Sequence, residues 1–359
     1  MTTDLDGQRI EEFAGRIFSI YVDAGLATMI DIGHRTGLFD AMAAGTGTSA
    51  DIAERAGLSE RHVREWLGAV TSAGFADYDP SAKTFTLPAE HAVCLTGTSS
   101  TNLAQMSGGS TFFAGFVPDV ARTFHEGGGI PYERYRPEFT DLMDKLNRYS
   151  YDDFLVSTYL PAAEGLVDRL RQGIMVADLG CGTGHCINLM AAAFPASTFV
   201  GYDFADDAIA AARKEAEAAG LTNATFEVRD VRQLPAETFG LVTAFDAIHD
   251  QADPAGVLRG AYEALTDGGV FLMLDINASS NLEENIGNPL ATFAYIASTM
   301  HCMQVSLALE GAGLGTAWGH QLATTMLEEA GFTGVEVHDP PPNDPFNLIY
   351  VARKASATT

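Results

Sequence analysis

The chain has 359 residues, 47% of them hydrophobic, with 21 Lys and Arg against 47 Asp and Glu and a formal net charge of −26. That length exceeds an average domain, so two units are expected, and the apolar share suffices for a large core. The acidity argues against nucleic acid and anionic membrane surfaces as partners, because affinity for phosphates comes mainly from Lys and Arg. The first predicted element is a helix over residues 9–32. Ile10, Phe13, Ala14, Ile17, Phe18 and Tyr21 repeat at helical spacing and make a wide apolar stripe. Such a face packs either on its own domain or along a homodimer seam, and the sequence leaves both open.

Residues 48–87 then read as a winged helix. Thr48 or Ser49 caps a short helix to Ala56, Gly57 turns the chain, and Ser59 caps a second helix that runs to Ala73. Two short β-like runs, Phe75–Tyr78 and Thr84–Leu87, follow around Asp79-Pro80. Between Thr48 and His91 four cationic side chains face seven acidic ones, and Arg61 and Arg64 on the second helix are offset by Glu60 and Glu65. A DNA reader needs a basic stripe there, so a dimerisation or scaffold role is favoured for residues 1–91. Residues 92–170 read as a helical linker broken by Gly108-Gly109 and Gly127-Gly128-Gly129. Its many aromatic residues, among them Phe112, Phe116, Tyr132, Tyr135 and Phe139, suit the wall of an apolar substrate pocket.

From Ile174 strands and helices alternate, as a parallel sheet with crossover helices requires. Strands are predicted at 174–178, 198–203, 225–228, 241–245 and 270–275, with helices starting near Gly184, Asp206, Val231 and Pro254. Gly268-Gly269 makes the turn into the fifth strand. Residues 277–315 form an insertion too long for a plain connection, read as a lid. A helix over 317–330 and strands at 333–338 and 347–353 close the unit, residues 171–359.

The most specific stretch is Val176-Ala177-Asp178-Leu179-Gly180-Cys181-Gly182-Thr183-Gly184. It reads as a buried strand ending in an acid and a glycine turn opening a helix, an arrangement that lets backbone press against a nucleotide-like ligand. The spacing D-x-G-x-G-x-G does not match the G-x-G-x-x-G dinucleotide fingerprint, which disfavours NAD. Asp203 follows Gly184 at about the distance of a ribose-binding carboxylate. Asp230 with Val231 follows the third strand, and Phe245 closes the fourth. Strand carboxyl ends line the ligand crevice of open α/β sheets, so these residues are expected around one crevice.

On these residues the chain resembles class I S-adenosylmethionine (SAM) dependent methyltransferases. Asp178, Gly180, Gly182 and Gly184 match motif I, Asp203 the ribose-binding acid, and Phe204 an adenine-stacking position. Asp230 and Val231 match the adenine-edge motif, and the segment from His249 to Pro254 resembles the one after the family's fourth strand. With its N-terminal winged helix the chain is most similar to mycobacterial-type small-molecule methyltransferases that carry a regulator-like wing. The resemblance implies a Rossmann-like α/β fold with a seven-stranded sheet whose last strand is antiparallel, SAM as cofactor, and a small, apolar acceptor methylated on oxygen, nitrogen or carbon. The alternative is a DNA-binding regulator that senses SAM or an apolar effector. A cationic sulfonium and amino group suit an acidic crevice.

SAM carries its own activated methyl, so a base is needed only for a hydroxyl or a protonated amine. His249 and His301 are the candidates. For His249 the competing reading is packing or capping of the loop, and for His301 an ordinary helix-face histidine. No metal is expected. Cys94, Cys181, Cys186 and Cys302 form no C-x-x-C pair, which suggests a reducing, cytoplasmic setting. Residues 1–8 are polar and acidic, and no apolar run approaches about 18 residues, so no membrane span is expected.

Overall fold

The computed structural model describes residues 5–342 and 344–356. The chain divides into two compact units, the first ending at Gly115 and the second starting at Phe116, so the segment 92–170 runs across the division.

The first unit opens with helix α1, Gly7–Thr36, longer at both ends than the apolar stripe alone predicts. The Asp6 carboxylate caps it by accepting the amides of Gln8 and Arg9, and Gly37, at φ +69°, stops it in the left-handed conformation. Helices α2 (Leu38–Ala43), α3 (Ser49–Ala56) and α4 (Glu60–Ser72) follow. Thr48 and Asp51 form a reciprocal capping box at the start of α3. Strands β1 (Asp77–Asp79) and β2 (Thr84–Thr86) pair antiparallel as the wing. Helices α5 (Ala89–Leu95) and α6 (Ser107–Ala114) complete the unit. Leu38, Phe39, Ile52, Trp66, Leu67 and Val70 form its core.

Only the C-terminal part of α1 joins that core. The Trp66 indole donates to the Met29 carbonyl at 2.8 Å, and Thr111 donates to Asp31 at 2.7 Å. Upstream, Ile10, Phe13, Phe18 and Tyr21 are 52–71% exposed. An 18-residue window of α1 has a mean hydropathy of 1.3, which makes the helix long and apolar enough to cross a membrane by length and composition. It contains no unbroken apolar run of that length, because α1 interleaves its apolar residues with glycine, serine and a few charges.

The second unit begins with α7 (Val117–Glu126), α8 (Glu138–Phe154), a wide π-helical turn at Leu155–Tyr159, α9 (Leu160–Ala162) and α10 (Leu166–Gln172). Then come β3 (Met175–Leu179), α11 (His185–Ala193), β4 (Thr198–Asp203), α12 (Asp206–Ala218), β5 (Ala224–Val228) and β6 (Phe239–Phe245). They are followed by α13 (Pro254–Ala264), β7 (Leu265–Ile276), α14 (Leu282–Asn285), α15 (Pro289–Ala297), α16 (Met303–Ala308), α17 (Gly319–Glu329), β8 (Thr333–His338) and β9 (Asn347–Arg353). The sheet order is β5-β4-β3-β6-β7-β9-β8. The pairs from β5 to β7 are parallel, and β9 runs antiparallel to both neighbours. The sheet is Rossmann-like, with its last strand reversed. Strand order turns around between β3 and β6, the switch point where such sheets hold ligands.

Two local expectations fail. No helix starts at Val231. Asp230 instead accepts the Arg232 amide in a tight turn, and Pro235, which lacks an N–H, lies where a helix would need a donor. The Gly268-Gly269 pair lies within β7 rather than before it; the β6–β7 register shifts there, and Gly268 sits at φ +67°.

Candidate active site

The glycine turn after β3 is built by backbone constraint. Gly180, Gly182 and Gly184 all have positive φ, at +70°, +52° and +74°. A Cβ on Gly184 would fall 2.4 Å from the Phe226 ring, and one on Gly180 would fall 2.7 Å from Ala247. At Gly182 the same Cβ would enter open space. Gly180 and Gly184 are therefore required by packing, whereas the Gly182 side of the turn is an open ledge.

Asp203 ends β4 beneath that ledge. One carboxylate oxygen accepts the Gly182 amide at 2.9 Å and the other the Ala205 amide at 2.8 Å. Burial raises its pKa, partly offset by these two bonds. Asp178 is almost fully buried at the end of β3, where Thr243 of β6 donates to it at 2.6 Å. Burial pushes its pKa up to about 7, opposed by the Thr243 bond and aided by the Asp203 charge. Phe245 is buried at the end of β6, its ring 5.8 Å from that of Tyr151. Phe204 is 54% exposed and meets Tyr132 edge-on at 5.1 Å. Val231 is buried, while Asp230 lies exposed and paired with Arg232 at 2.5 Å.

The sequence reading did not find the brace behind the turn. Thr183 donates to Asp144 of α8 at 2.5 Å. Arg148 binds both Asp144 and Glu215, and His185 bridges Glu215 and Asp152. This ties α8 and α12 to the glycine turn through side chains with no spacing pattern of their own.

His249, past β6, is buried. Its Nδ1 lies 2.8 Å from Asp275 Oδ1 at the end of β7. The same oxygen accepts the Trp318 indole at 2.9 Å and the Ile276 amide at 2.8 Å, so Asp275 is fixed and in turn fixes the imidazole. His249 Nε2 faces Asp250 at 3.3 Å. Burial pushes the His249 pKa down, but the Asp275 and Asp250 carboxylates outweigh it and hold the pKa well above 6.5. Asp275 stands at a strand end and was open to the same logic that found Asp203. Trp318, from 43 residues further along, carried no such signal.

His301 lies on the wide π-helical turn Ser298–Cys302 that joins α15 to α16. It is fully buried. Its ring stacks on Phe139 at 3.7 Å, with Tyr135 and Tyr132 edge-on at 4.7 and 5.7 Å. Burial lowers its pKa to about 4. Donor atoms of His249, Asp250 and Cys302 lie within 4.8 Å of one another, and the Cys302 thiol is pushed up to about 11 by burial.

Two family models match the chain, an Rv2258c-like winged HTH domain over residues 24–97 and a methyltransferase domain over residues 170–336. Among solved structures, a candidate O-methyltransferase from Nostoc punctiforme is similar at TM-score 0.74 and 18% identity, covering 95% of this chain and 99% of that one. Human N-acetylserotonin methyltransferase in complex with SAM gives 0.68 and 17%, covering 99% and 100%. The O-methyltransferase NcsB1 from neocarzinostatin biosynthesis, in complex with SAM and 2-hydroxy-5-methyl naphthoic acid, gives 0.61 and 18%, covering 91% and 96%. No curated protein matches by sequence. Residues 24–97 are thus a winged-helix domain of the Rv2258c-like kind, and residues 170–336 are the methyltransferase domain of a class I SAM-dependent enzyme.

Proposed function

We propose that the protein transfers the methyl group of SAM to a hydroxyl of a small, apolar acceptor, with His249 as general base. The observation that carries this reading is the His249–Asp275 pair at the end of β6. Its Nδ1 is engaged by a carboxylate that two further donors hold in place, so Nε2, which faces Asp250 at 3.3 Å, is the nitrogen that takes a proton.

The residues present fit the cofactor. The open ledge at Gly182 leaves room for a ribose against backbone, and Asp203 keeps lone pairs free for its hydroxyls. Buried Asp178 would suit the cationic amino group, and Phe204, Val231, Phe245 and the exposed Asp230, at or just past the ends of β4, β5 and β6, would hold the adenine. SAM supplies a methyl on a sulfonium with a neutral leaving group. The protein aligns the acceptor, excludes water and removes the hydroxyl proton. Asp275 orients His249 and stabilises the imidazolium formed when it takes that proton. The aromatic residues around His301 and the insertion 277–315 form the acceptor side.

The unpartnered apolar part of α1 supports a homodimer, with residues 1–91 as the dimerising part, 92–170 as linker and pocket wall, and 171–359 as the catalytic part. Arg61 and Arg64 are paired with Glu65 and Glu60 of their own helix, which speaks against DNA reading by the wing. All four cysteines are free, which suits a cytoplasmic enzyme. The test is methyl transfer from SAM to a panel of phenols. His249→Ala is expected to cut turnover at least about a hundredfold while leaving SAM affinity within twofold, and unaltered turnover would leave His249 a structural residue. Transfer is expected to survive EDTA; loss that added zinc restores would instead favour the His249, Asp250 and Cys302 cluster as a metal centre.

A further inference from the structure

We propose that His301, with Phe139 and Tyr132, forms an acceptor subsite selecting a planar aromatic phenol that carries a second oxygen on the adjacent ring carbon. This deepens the reading of His249 as base and rests on it. His301 is completely buried, yet neither ring nitrogen has a hydrogen-bond partner. A structural histidine is ordinarily fixed by at least one such bond. The His301 ring lies on Phe139 with an interplanar angle of 22° and the two tyrosines at its edges. The Tyr135 hydroxyl also donates to the carbonyl of Met300, the preceding residue, at 2.7 Å. The imidazole is therefore oriented in advance and left unsatisfied, as a recognition group is.

Its chemistry narrows the ligand. With a pKa lowered to about 4 the ring is neutral across the working range, offering one N–H donor and one lone pair. It reads an uncharged oxygen rather than binding an anion. Its Nδ1 lies 3.9 Å from Asp250 Oδ2, beyond hydrogen-bond reach, while Asp250 Oδ1 lies 3.3 Å from His249 Nε2. The two imidazoles thus face the two oxygens of one carboxyl group. An acceptor that serves both in place of that carboxyl group needs a comparably short bite. Oxygens on neighbouring ring carbons have it, and oxygens across a ring do not. The aromatic walls from Phe139, Tyr132 and Phe204 call for a flat partner. One oxygen gives its proton to His249 and receives the methyl, while its neighbour bonds to His301.

The probes are 2-naphthol, 2,3-dihydroxynaphthalene and 2,7-dihydroxynaphthalene. Affinity is measured on the protein holding S-adenosylhomocysteine, and methyl transfer on the protein with SAM. The 2,3-isomer is expected to bind at least tenfold tighter than the other two. His301→Phe is expected to bring that ratio within twofold. His301→Gln, which keeps a donor and an acceptor, is expected to retain at least a fivefold ratio. If His301→Phe does not fold, the 15N shifts of the His301 ring in the wild-type protein decide, since saturation with the 2,3-isomer should move them. Equal affinities in the wild type, a ratio surviving in His301→Phe, unmoved ring shifts or no binding of any naphthol overturns the subsite. Selective binding without methyl transfer overturns the base reading and leaves the subsite standing, whereas equal methylation of all three does the reverse.

Discussion

Replacing Asp203 tests the cofactor side most directly. Each of its oxygens already accepts one backbone amide, from Gly182 at 2.9 Å and Ala205 at 2.8 Å. A carboxylate offers about four lone-pair sites, so two remain for the two ribose hydroxyls. Hydrogen bonds to a charged group contribute about 1.5–3 kcal/mol each. Losing the pair therefore costs about 3–6 kcal/mol, or two to four orders of magnitude in Kd. Asp203→Ala is expected to remove measurable SAM binding in isothermal titration calorimetry while the far-ultraviolet circular dichroism stays native. Asp203→Asn is the sharper variant. Its NH2 must point at one of the two amides, so one side of the turn loses its anchor, and an intermediate loss is expected. A Kd for Asp203→Ala within threefold of the wild type would refute the placement of the ribose.

Three further outcomes follow from the same geometry. Asp178, with a pKa of about 7, is mostly protonated at pH 6. A bound cationic amino group stabilises its carboxylate, so SAM binding should release close to one proton there and almost none at pH 8; calorimetry in buffers of different ionisation enthalpy reads this, and Asp178→Asn should abolish it. His249, with its pKa held above 6.5, accepts a proton only once deprotonated, so kcat/KM should fall as pH drops through that raised value and level off above it. Asp275→Asn should shift the midpoint downward and lower the plateau at least about tenfold, and a pH profile identical to wild type would count against the pair. Glu at Phe13, Phe18 and Tyr21 together should convert a dimer to a monomer in sedimentation velocity, whereas loss of vesicle binding with unchanged mass would point to a membrane as the occupant of that face.

The sheet was legible because buried parallel strands are short apolar runs ended by turn residues. Buried, parallel β4 begins and ends where the pattern places it, as do β8 and β9, which pair antiparallel. The connection after β5 was not, because Asp230 and Arg232 close a side-chain turn that apolar periodicity does not register. The glycine turn and Asp203 could be read from spacing, since each depends on a backbone requirement local in sequence. His249 could be located, but not its orientation, which depends on Trp318, just before α17, reaching Asp275 of β7. His301 was visible only as a histidine. What distinguishes it is the Phe139 ring against it, 162 residues earlier in the chain.

The π-helical turn at Ser298–Cys302 has one more residue per turn than the helices on either side. Removing a single residue there would let α15 and α16 merge into an unbroken α-helix. The far end of that helix is pinned, because Ser306 donates to the Gln251 carbonyl and accepts the Gly313 amide. The slack would therefore be taken up at His301, which would slide off Phe139 while α16 stayed in place. The proposed acceptor subsite is thus set partly by how many residues the segment holds rather than by which ones. Relatives that differ there by one insertion or deletion would be expected to prefer different acceptors on the same scaffold, a source of diversity that substitution scanning would miss.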